Sequence, residues 1–246
     1  GLENPKVKFI FNPIWNKSGP LHSLFLAKDV LLSHDCLISY SDVVYRPELV
    51  QELVSFDNDI SIVTDIDWKD RYPDRRQKSL VMAEKVWLNK NDEVIKISRG
   101  PSGIKSSSGE FTGLIYLKKG VFRKILDLYP NQDFFKVNQE QDLTFLFKTL
   151  IENDIKVKSL RINGGWAELD TIKSDGQLWT DFHRFVFGTK SQTLSRLKPL
   201  LKTGKILTQI SFTIFDWKSD SESIIKKIQS HFRNKYLVIR SSTLME

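Results

Sequence analysis

Two acidic residues close apolar segments at widely separated places in the 246-residue sequence. Asp42 ends the stretch LISYSD, and Asp170 ends the stretch WAELD. In open α/β sheets ligands gather at the carboxyl ends of strands, so acids there are placed for chemistry. Two carboxylates from distant segments suit Mg²⁺, which takes one or two carboxylates together with waters and substrate phosphates. The alternative is that Asp42 only caps the next turn or helix, and residue types alone leave both interpretations open.

The elements that must position these acids alternate between strand and helix. Apolar alternation predicts strands at 6–11, 36–41, 59–65, 83–89, 93–98, 110–117 and 155–162. Helical spacing of apolar residues predicts helices at 21–33, 47–56, 119–129 and 138–154. This order predicts an α/β fold, a Rossmann-like and mainly parallel sheet with flanking helices.

The pattern changes after residue 171. Helices are predicted at 174–187, 191–201 and 219–232, the last with a Ser- and acid-rich start typical of a helix N-terminus. β-rich segments are predicted at 205–215 and from residue 236 onward. We therefore expect a domain at 1–175, a helical linker at 176–204, and a small α+β fragment at 205–246.

Composition limits the classes of function. The chain is 40% hydrophobic and 27% charged, which is ordinary for a globular protein. Its formal net charge of +7 comes entirely from residues 171–246, which hold 13 Lys or Arg and 6 Asp or Glu. These charges are spread out and no nucleic-acid motif accompanies them, so we expect a solvated basic face and no nucleic-acid partner.

The single cysteine and the apolar runs bear on localisation. Cys36 cannot form an internal disulfide and fits a reducing compartment. No apolar run approaches the roughly 18 residues of a membrane span, and no leader opens the chain. The sequence therefore predicts a cytoplasmic protein without a membrane span.

A set of ordered motifs resembles a known enzyme family. The segments FIFNP, GPLHSLFLAKD, CLISYSDVVY, ISIVTDIDW, YPDR, AEKVWL, GEFTGL and WAELDT resemble the sugar-phosphate and phosphocholine-type nucleotidyltransferases. Within that family they are most similar to the cytidylyltransferase-like branch of phosphonate and phosphocholine pathways. The resemblance implies a Mg²⁺-dependent transfer of a nucleoside monophosphate from an NTP, CTP above all, to a phosphorylated or phosphonylated acceptor.

The same resemblance assigns candidate roles to residues. It implies that Asp42 and Asp170 bind the metal, while the nucleotide and acceptor cleft is lined by Asn12, Ser23, Arg75, Glu84 and Glu110.

One family motif is missing from the sequence. The family opens with a strand and a G-x-G-x-R loop whose backbone amides cradle the triphosphate, and these 246 residues contain no such motif. We therefore expect a nucleotidyltransferase-like domain that lacks its first βαβ units, and an isolated chain that is inactive or nearly so.

The end of the sequence has a second resemblance. Residues 236–246, YLVIRSSTLME, resemble the opening strand of the ATP-binding domain of phosphoenolpyruvate synthase and pyruvate phosphate dikinase, an ATP-grasp-like fold. That resemblance implies that Arg240 contacts ATP phosphates. Two alternatives to a nucleotidyltransferase stay open: a phosphotransferase whose ATP-binding half is mostly missing, and a non-catalytic nucleotide- or sugar-binding module.

Overall fold

The computed structural model describes residues 7–69, 77–129, 141–168, 185–186, 188–212, 214–233 and 236–241. The chain divides into two compact units, residues 1–169 and 170–246. Within the described residues, no helix is both long enough and apolar enough to cross a membrane.

The first unit contains six α-helices and eight strands among its described residues, after a short 3₁₀ helix at Trp15–Lys17. The helices are α1 (Pro20–Leu26), α2 (Lys28–Ser33), α3 (Pro47–Ser55), α4 (Gln77–Met82), α5 (Val121–Asp127) and α6 (Leu143–Glu152). The strands are β1 (Cys36–Ser39), β2 (Val43–Tyr45), β3 (Ile60–Asp65), β4 (Lys85–Leu88), β5 (Val94–Ser98), β6 (Gly109–Leu117), β7 (Lys158–Ile162) and β8 (Trp166–Glu168).

Local sequence explains where the principal helices begin and which face they bury. Pro47 occupies the first turn of α3, where its missing N–H costs nothing, and Leu49 and Leu53 bury one face four residues apart. Asp142 caps α6 by accepting a hydrogen bond from the Phe145 N–H. The start of α3 agrees with the helix predicted at 47–56, whereas α6 begins at Leu143, five residues after the predicted start at 138.

The main sheet is mixed, so the expectation of a mainly parallel sheet is wrong for the described strands. Its order is β5-β4-β6-β3-β7, and β1 also pairs with β6. The β3–β7 pairing is parallel, whereas β1, β3 and β4 each pair with β6 in the antiparallel sense. The strand–helix alternation correctly implied that β1, β3 and β7 run in one direction. The long strand β6 inserts between β1 and β3 in the opposite direction, and alternation cannot reveal that insertion.

Two strands share one edge of β6. Because β3 pairs with β6 from Leu117 to Glu110, β1 and β4 must both lie on the opposite edge. The chain of β1 leaves that edge at Tyr40, whose N–H donates to the Gly113 carbonyl at 3.1 Å. The backbone joins that edge again at Glu84, directly before β4, where the Glu84 carbonyl accepts from the Phe111 N–H at 2.8 Å. We call this place the β1–β4 junction.

Gly113 makes the junction possible. Its φ is +80°, in the left-handed region that favours glycine, and a Cβ atom there would lie 2.4 Å from a ring carbon of Tyr40. The β3–β6 register also shifts between Ile62 and Thr64, as at a β-bulge. The irregular backbone therefore opens space for the Tyr40 ring where one neighbouring strand replaces the other.

Both faces of the sheet are covered, which explains why every residue of β3 and β6 is buried. Helices α1, α2, α5 and α6 contribute to one apolar cluster. Helix α3 and the strand β8 contribute to a second cluster on the other face. Strands β2 and β8 form a separate two-stranded antiparallel ribbon.

The second unit contains α7 (Lys190–Leu197) and α8 (Ile214–Phe232) among its described residues. Thr189 and Gln192 form a capping box at the start of α7. Non-helical φ and ψ angles at Asp220 kink α8, and its side chain accepts from the Ser223 N–H at 2.9 Å. That cap confirms the helix start predicted near residue 219.

Three predicted strands are wrong over the residues that the structure describes. Residues 7–11, 205–212 and 236–241 contain no strand. Their apolar side chains include the exposed Phe9, Leu207 and Val238. Alternating apolar residues form a stable strand only when another strand completes the hydrogen bonds, and the described residues pair none with these segments. Arg240, the predicted ATP contact, is exposed.

Candidate functional site

Asp42 lies in the turn between β1 and β2 and is exposed. The ribbon register pairs Val43, the first residue of β2, with Glu168, the last residue of β8. Asp42 directly precedes Val43 and so lies beside the C-terminal end of β8. Asp170 follows Glu168 by two residues in the sequence but lies outside the described residues. The approach of Asp42 and Asp170 to a shared metal therefore stays a prediction.

Tyr45 ties the ribbon to the main sheet. Its hydroxyl donates to the Thr112 carbonyl of β6 at 2.8 Å. Burial raises the pKa of Tyr45, and the negative charges of Asp42 and Glu168 raise it further. Both carboxylates are thus close enough to influence the same phenol.

Asp65 anchors the same end of the ribbon, where Tyr45 pairs with Trp166. This buried carboxylate, the last residue of β3, accepts from the Trp166 indole N–H at 2.8 Å. Its second oxygen accepts from the backbone N–H groups of Gly164 at 3.3 Å and Asp67 at 3.1 Å. The end of β3 therefore fixes the turn that leads into β8, and sequence analysis assigned this acid no role.

A network of charged and polar groups occupies the β1–β4 junction. Glu84 is buried, and one of its oxygens accepts from Arg99 Nε at 3.2 Å and Nη2 at 2.7 Å. The Tyr40 hydroxyl lies 3.2–3.3 Å from both Glu84 oxygens. Asp142 Oδ2 lies 3.5 Å from Arg99 Nε. Burial raises the pKa of Glu84 although the charge of Arg99 opposes this shift.

The neighbouring pair is deeply buried. Lys85 pairs with Glu110 across the β4–β6 ladder, and neither residue is exposed. Lys85 Nζ donates to the backbone carbonyls of residues 80, 81 and 83 at 2.9–3.3 Å. Burial lowers the pKa of Lys85, whereas the charge of Glu110 raises it. Glu110, predicted to face an acceptor, thus lies at the junction but inside the protein.

The structure brings Asn12 and Ser23 together. The Asn12 side-chain amide donates to Ser23 Oγ at 3.0 Å and to Ser18 Oγ at 2.8 Å. The Leu21 N–H donates to the Gln141 carbonyl at 3.3 Å, next to Asp142 of the junction network. Arg75 lies outside the described residues. The roles predicted for these residues stay predictions.

The donor groups around Asp42 bear on the predicted magnesium site. Among the described residues, no group of three or more His, Cys, Asp or Glu side chains is placed to hold a metal ion. Asp42 and Glu168 nevertheless supply two hard oxygen donors at one end of the ribbon. Mg²⁺ needs only one or two carboxylates because it keeps several waters. The donor set therefore fits that ion.

A cavity of about 520 Å³ lies elsewhere, at the start of β3 and the end of β6. Several of its lysines and aspartates are paired with each other, among them Lys118 with Asp57 and Lys124 with Asp59. The cavity lies at the end of β3 opposite Asp65, away from the junction and the ribbon.

Comparison with known proteins identifies a relative in sequence. The chain is 28% identical over 176 residues to the CTP:phosphoglutamine cytidylyltransferase of Campylobacter jejuni. That alignment spans 66% of this chain and 68% of the relative. It supports the similarity to nucleotidyltransferases expected from the sequence motifs.

A solved structure is also similar, although more weakly. The inositol-1-phosphate CTP transferase from T. maritima is 20% identical, with a TM-score of 0.49, and the match covers 68% of this chain and 63% of that one. The chain thus spans less than two thirds of that protein. No protein-family model matches the chain, and the terminal ATP-binding domain stays a prediction.

Proposed function

We propose that this chain carries the core of a Mg²⁺-dependent cytidylyltransferase that moves CMP from CTP to a phosphorylated or phosphonylated acceptor. The observation that carries the proposal is the similarity to the C. jejuni CTP:phosphoglutamine cytidylyltransferase. The exposed Asp42 on the ribbon beside Glu168, two residues before Asp170, supports it.

In the proposed reaction an oxygen of the acceptor phosphate or phosphonate attacks the α-phosphorus of CTP. The bond to the β-phosphate breaks, and pyrophosphate leaves with the electron pair. Asp42 and Asp170 would hold Mg²⁺, which when bound neutralises charge on the triphosphate.

The chain's own residues would orient the reactants. Asp65 and Tyr45 fix the ribbon that carries Asp42 through their contacts with Trp166 and Thr112. The junction network of Glu84, Arg99, Tyr40 and Asp142 would face the acceptor, with Glu110 buried beside it. Asn12, Ser23 and Arg75 would line the rest of the nucleotide and acceptor cleft.

A single-turnover assay tests this function despite the missing triphosphate loop. The chain is used in excess over radiolabelled CTP, with Mg²⁺ and one of three acceptors: phosphoglutamine, phosphocholine or aminoethylphosphonate. We expect slow formation of a CMP-linked product that disappears with EDTA. Because Asp42 is proposed to hold the metal, Asp42→Asn should lower the rate about 10²–10³-fold.

The matched control is Asp29→Asn, which removes an exposed carboxylate from the first turn of α2. It should leave the rate unchanged. Absence of product with all three acceptors, together with absence of Mg²⁺-dependent CTP binding, would refute the proposal and favour a non-catalytic binding module.

A further inference from the structure

Residues 188–212 of the second unit, which we call the basic segment, carry charge of one sign. Their sequence contains five Lys or Arg and no Asp or Glu. Lys198, Lys202 and Lys205 are exposed. A surface charge of one sign attracts partners of the opposite sign, so the basic segment favours an anionic partner.

Large apolar side chains are exposed among these charges. Leu200 is 72% exposed and Leu207 is 76% exposed, and Leu197 and Leu201 are exposed as well. The structure buries none of the residues 188–212, so the basic segment contributes nothing to an apolar core. Each leucine left in water forgoes the free energy of burial, which favours a partner that accepts apolar groups together with ammonium groups.

A glutamine closes part of the basic segment into a loop. The Gln209 side-chain amide donates to the Ser191 carbonyl and to Ser195 Oγ, each at 2.9 Å, and both acceptors belong to α7. The chain therefore returns to α7 after residues 198–208, which form a closed loop. This loop brings three lysines and three leucines together in one short stretch.

The chemistry of the closed loop fits an anionic lipid bilayer better than a nucleic acid. Amphipathic segments rich in Lys and Leu lie at the boundary between lipid head groups and acyl chains. The flexible lysine stems let the ammonium groups stay at the head groups while neighbouring leucines enter the apolar layer. Nucleic-acid bases instead stack on aromatic rings. The one aromatic residue in the sequence of the basic segment, Phe212, already stacks on Trp217 at a centroid distance of 5.7 Å.

We propose that the closed loop at residues 198–208 docks the protein on the surface of an anionic lipid bilayer. The lysines of the loop lie against the lipid phosphates, and Leu200 and Leu207 enter the boundary of the acyl chains. The proposal concerns residues of the second unit alone, so it does not depend on the proposed cytidylyltransferase function.

Vesicle sedimentation with the whole chain tests the proposal. One set of vesicles contains phosphatidylglycerol and phosphatidylcholine in equal parts, and the other set contains phosphatidylcholine only. We expect about 100-fold tighter binding to the anionic vesicles, because each Lys near such a surface strengthens binding about fivefold. Added salt should weaken this binding, since it screens the lysines from the lipid phosphates.

Two variants separate the contributions of charge and apolar contact. Lys198→Gln, Lys202→Gln and Lys205→Gln together should weaken binding to the anionic vesicles about 100-fold. Leu200→Ala and Leu207→Ala together should weaken it about tenfold at every salt concentration, since salt does not screen apolar contacts. Because none of these five residues is buried, both variants should keep the circular dichroism spectrum of the wild type.

The matched control combines Lys28→Gln, Lys90→Gln and Lys119→Gln, which remove the same charge from exposed positions of the first unit. This control should leave vesicle binding unchanged. Equal weakening by the two triple variants would assign the binding to net charge and refute the docking loop.

Three further results would overturn the inference. The wild type could bind neither set of vesicles, or both sets equally. The leucine variant could bind as tightly as the wild type, which would reduce the contact to charge alone. Binding of single-stranded RNA or duplex DNA without binding of vesicles would assign the basic segment to nucleic acid.

Discussion

Replacing Asp65 with alanine removes the carboxylate that joins the end of β3 to the ribbon. Among the described residues, three N–H groups would lose their acceptor: the indole of Trp166 and the backbone groups of Gly164 and Asp67. Trp166 is buried, so its indole N–H would have no ready substitute. We expect the chain to lose stability and the ribbon that carries Asp42 to lose its anchor.

The magnitude follows from the three bonds. A buried bond to a charged group is worth about 1.5–3 kcal/mol, and each backbone bond nearer solvent about 0.5–1 kcal/mol because water can replace the carboxylate. Asp65→Ala should therefore lower the free energy of unfolding by about 2.5–5 kcal/mol. Most single substitutions cost about 0.5–3 kcal/mol, so this loss would stand out.

Urea unfolding followed by circular dichroism measures the loss. Asp67→Ala is the matched control, because the exposed Asp67 side chain makes one bond, to Asn163 at 2.7 Å. It should cost under about 1 kcal/mol. In a double-mutant cycle, Asp65→Ala and Trp166→Phe should not add, since they remove the same bond. A loss at Asp65 no larger than that at Asp67, or additive effects, would refute the reasoning.

Three other measurements probe the junction and the missing loop. Gly113→Ala should lower the free energy of unfolding by about 2–4 kcal/mol, because a Cβ at this positive φ would overlap the Tyr40 ring. The control is Gly120→Ala, where φ is +88° but the space around a Cβ is open, so that only the backbone strain remains. Equal losses of stability in the two variants would exclude the overlap. Burial holds the pKa of Glu84 above its usual value of 4.5, so protonation favours the folded state. Wild type should therefore gain stability relative to Glu84→Gln as the pH falls from 7 towards 4.5, and denaturation curves of equal pH slope would contradict this. Finally, multiple-turnover pyrophosphate release from CTP should be near background without a G-x-G-x-R loop, and robust turnover would show that the loop is dispensable.

Elements with strong local signals were predictable from the sequence. Pro47 and the spacing of the leucines indicate the helix α3, and the apolar residues that follow Asp142 indicate α6. The strand β3 is an apolar run of ordinary strand length. In each case the residues that fix the element lie within it or beside it.

The ribbon was not predictable because its partners are far apart in the sequence. Val43–Tyr45 follows the acid-bearing turn at Asp42, and Trp166–Glu168 falls in the stretch NGGWAELDT, which by sequence only breaks the strand predicted at 155–162. Each becomes a strand only by pairing with the other, more than 100 residues away. A segment of three residues carries too little periodicity to predict such a pairing.

The junction shows why candidate sites are harder to predict than helices. Glu84 was expected from a family resemblance, but its partner Arg99 stands in the sequence RGPSG, which by composition is a loop. Tyr40 and Glu84 meet only because β1 leaves β6 where β4 joins it, at a glycine with positive φ. Neither β1 nor β4 contains a signal for that exchange of neighbours. The role proposed for the junction network thus depends on the antiparallel insertion of β6, the same feature that made the expectation of a mainly parallel sheet wrong.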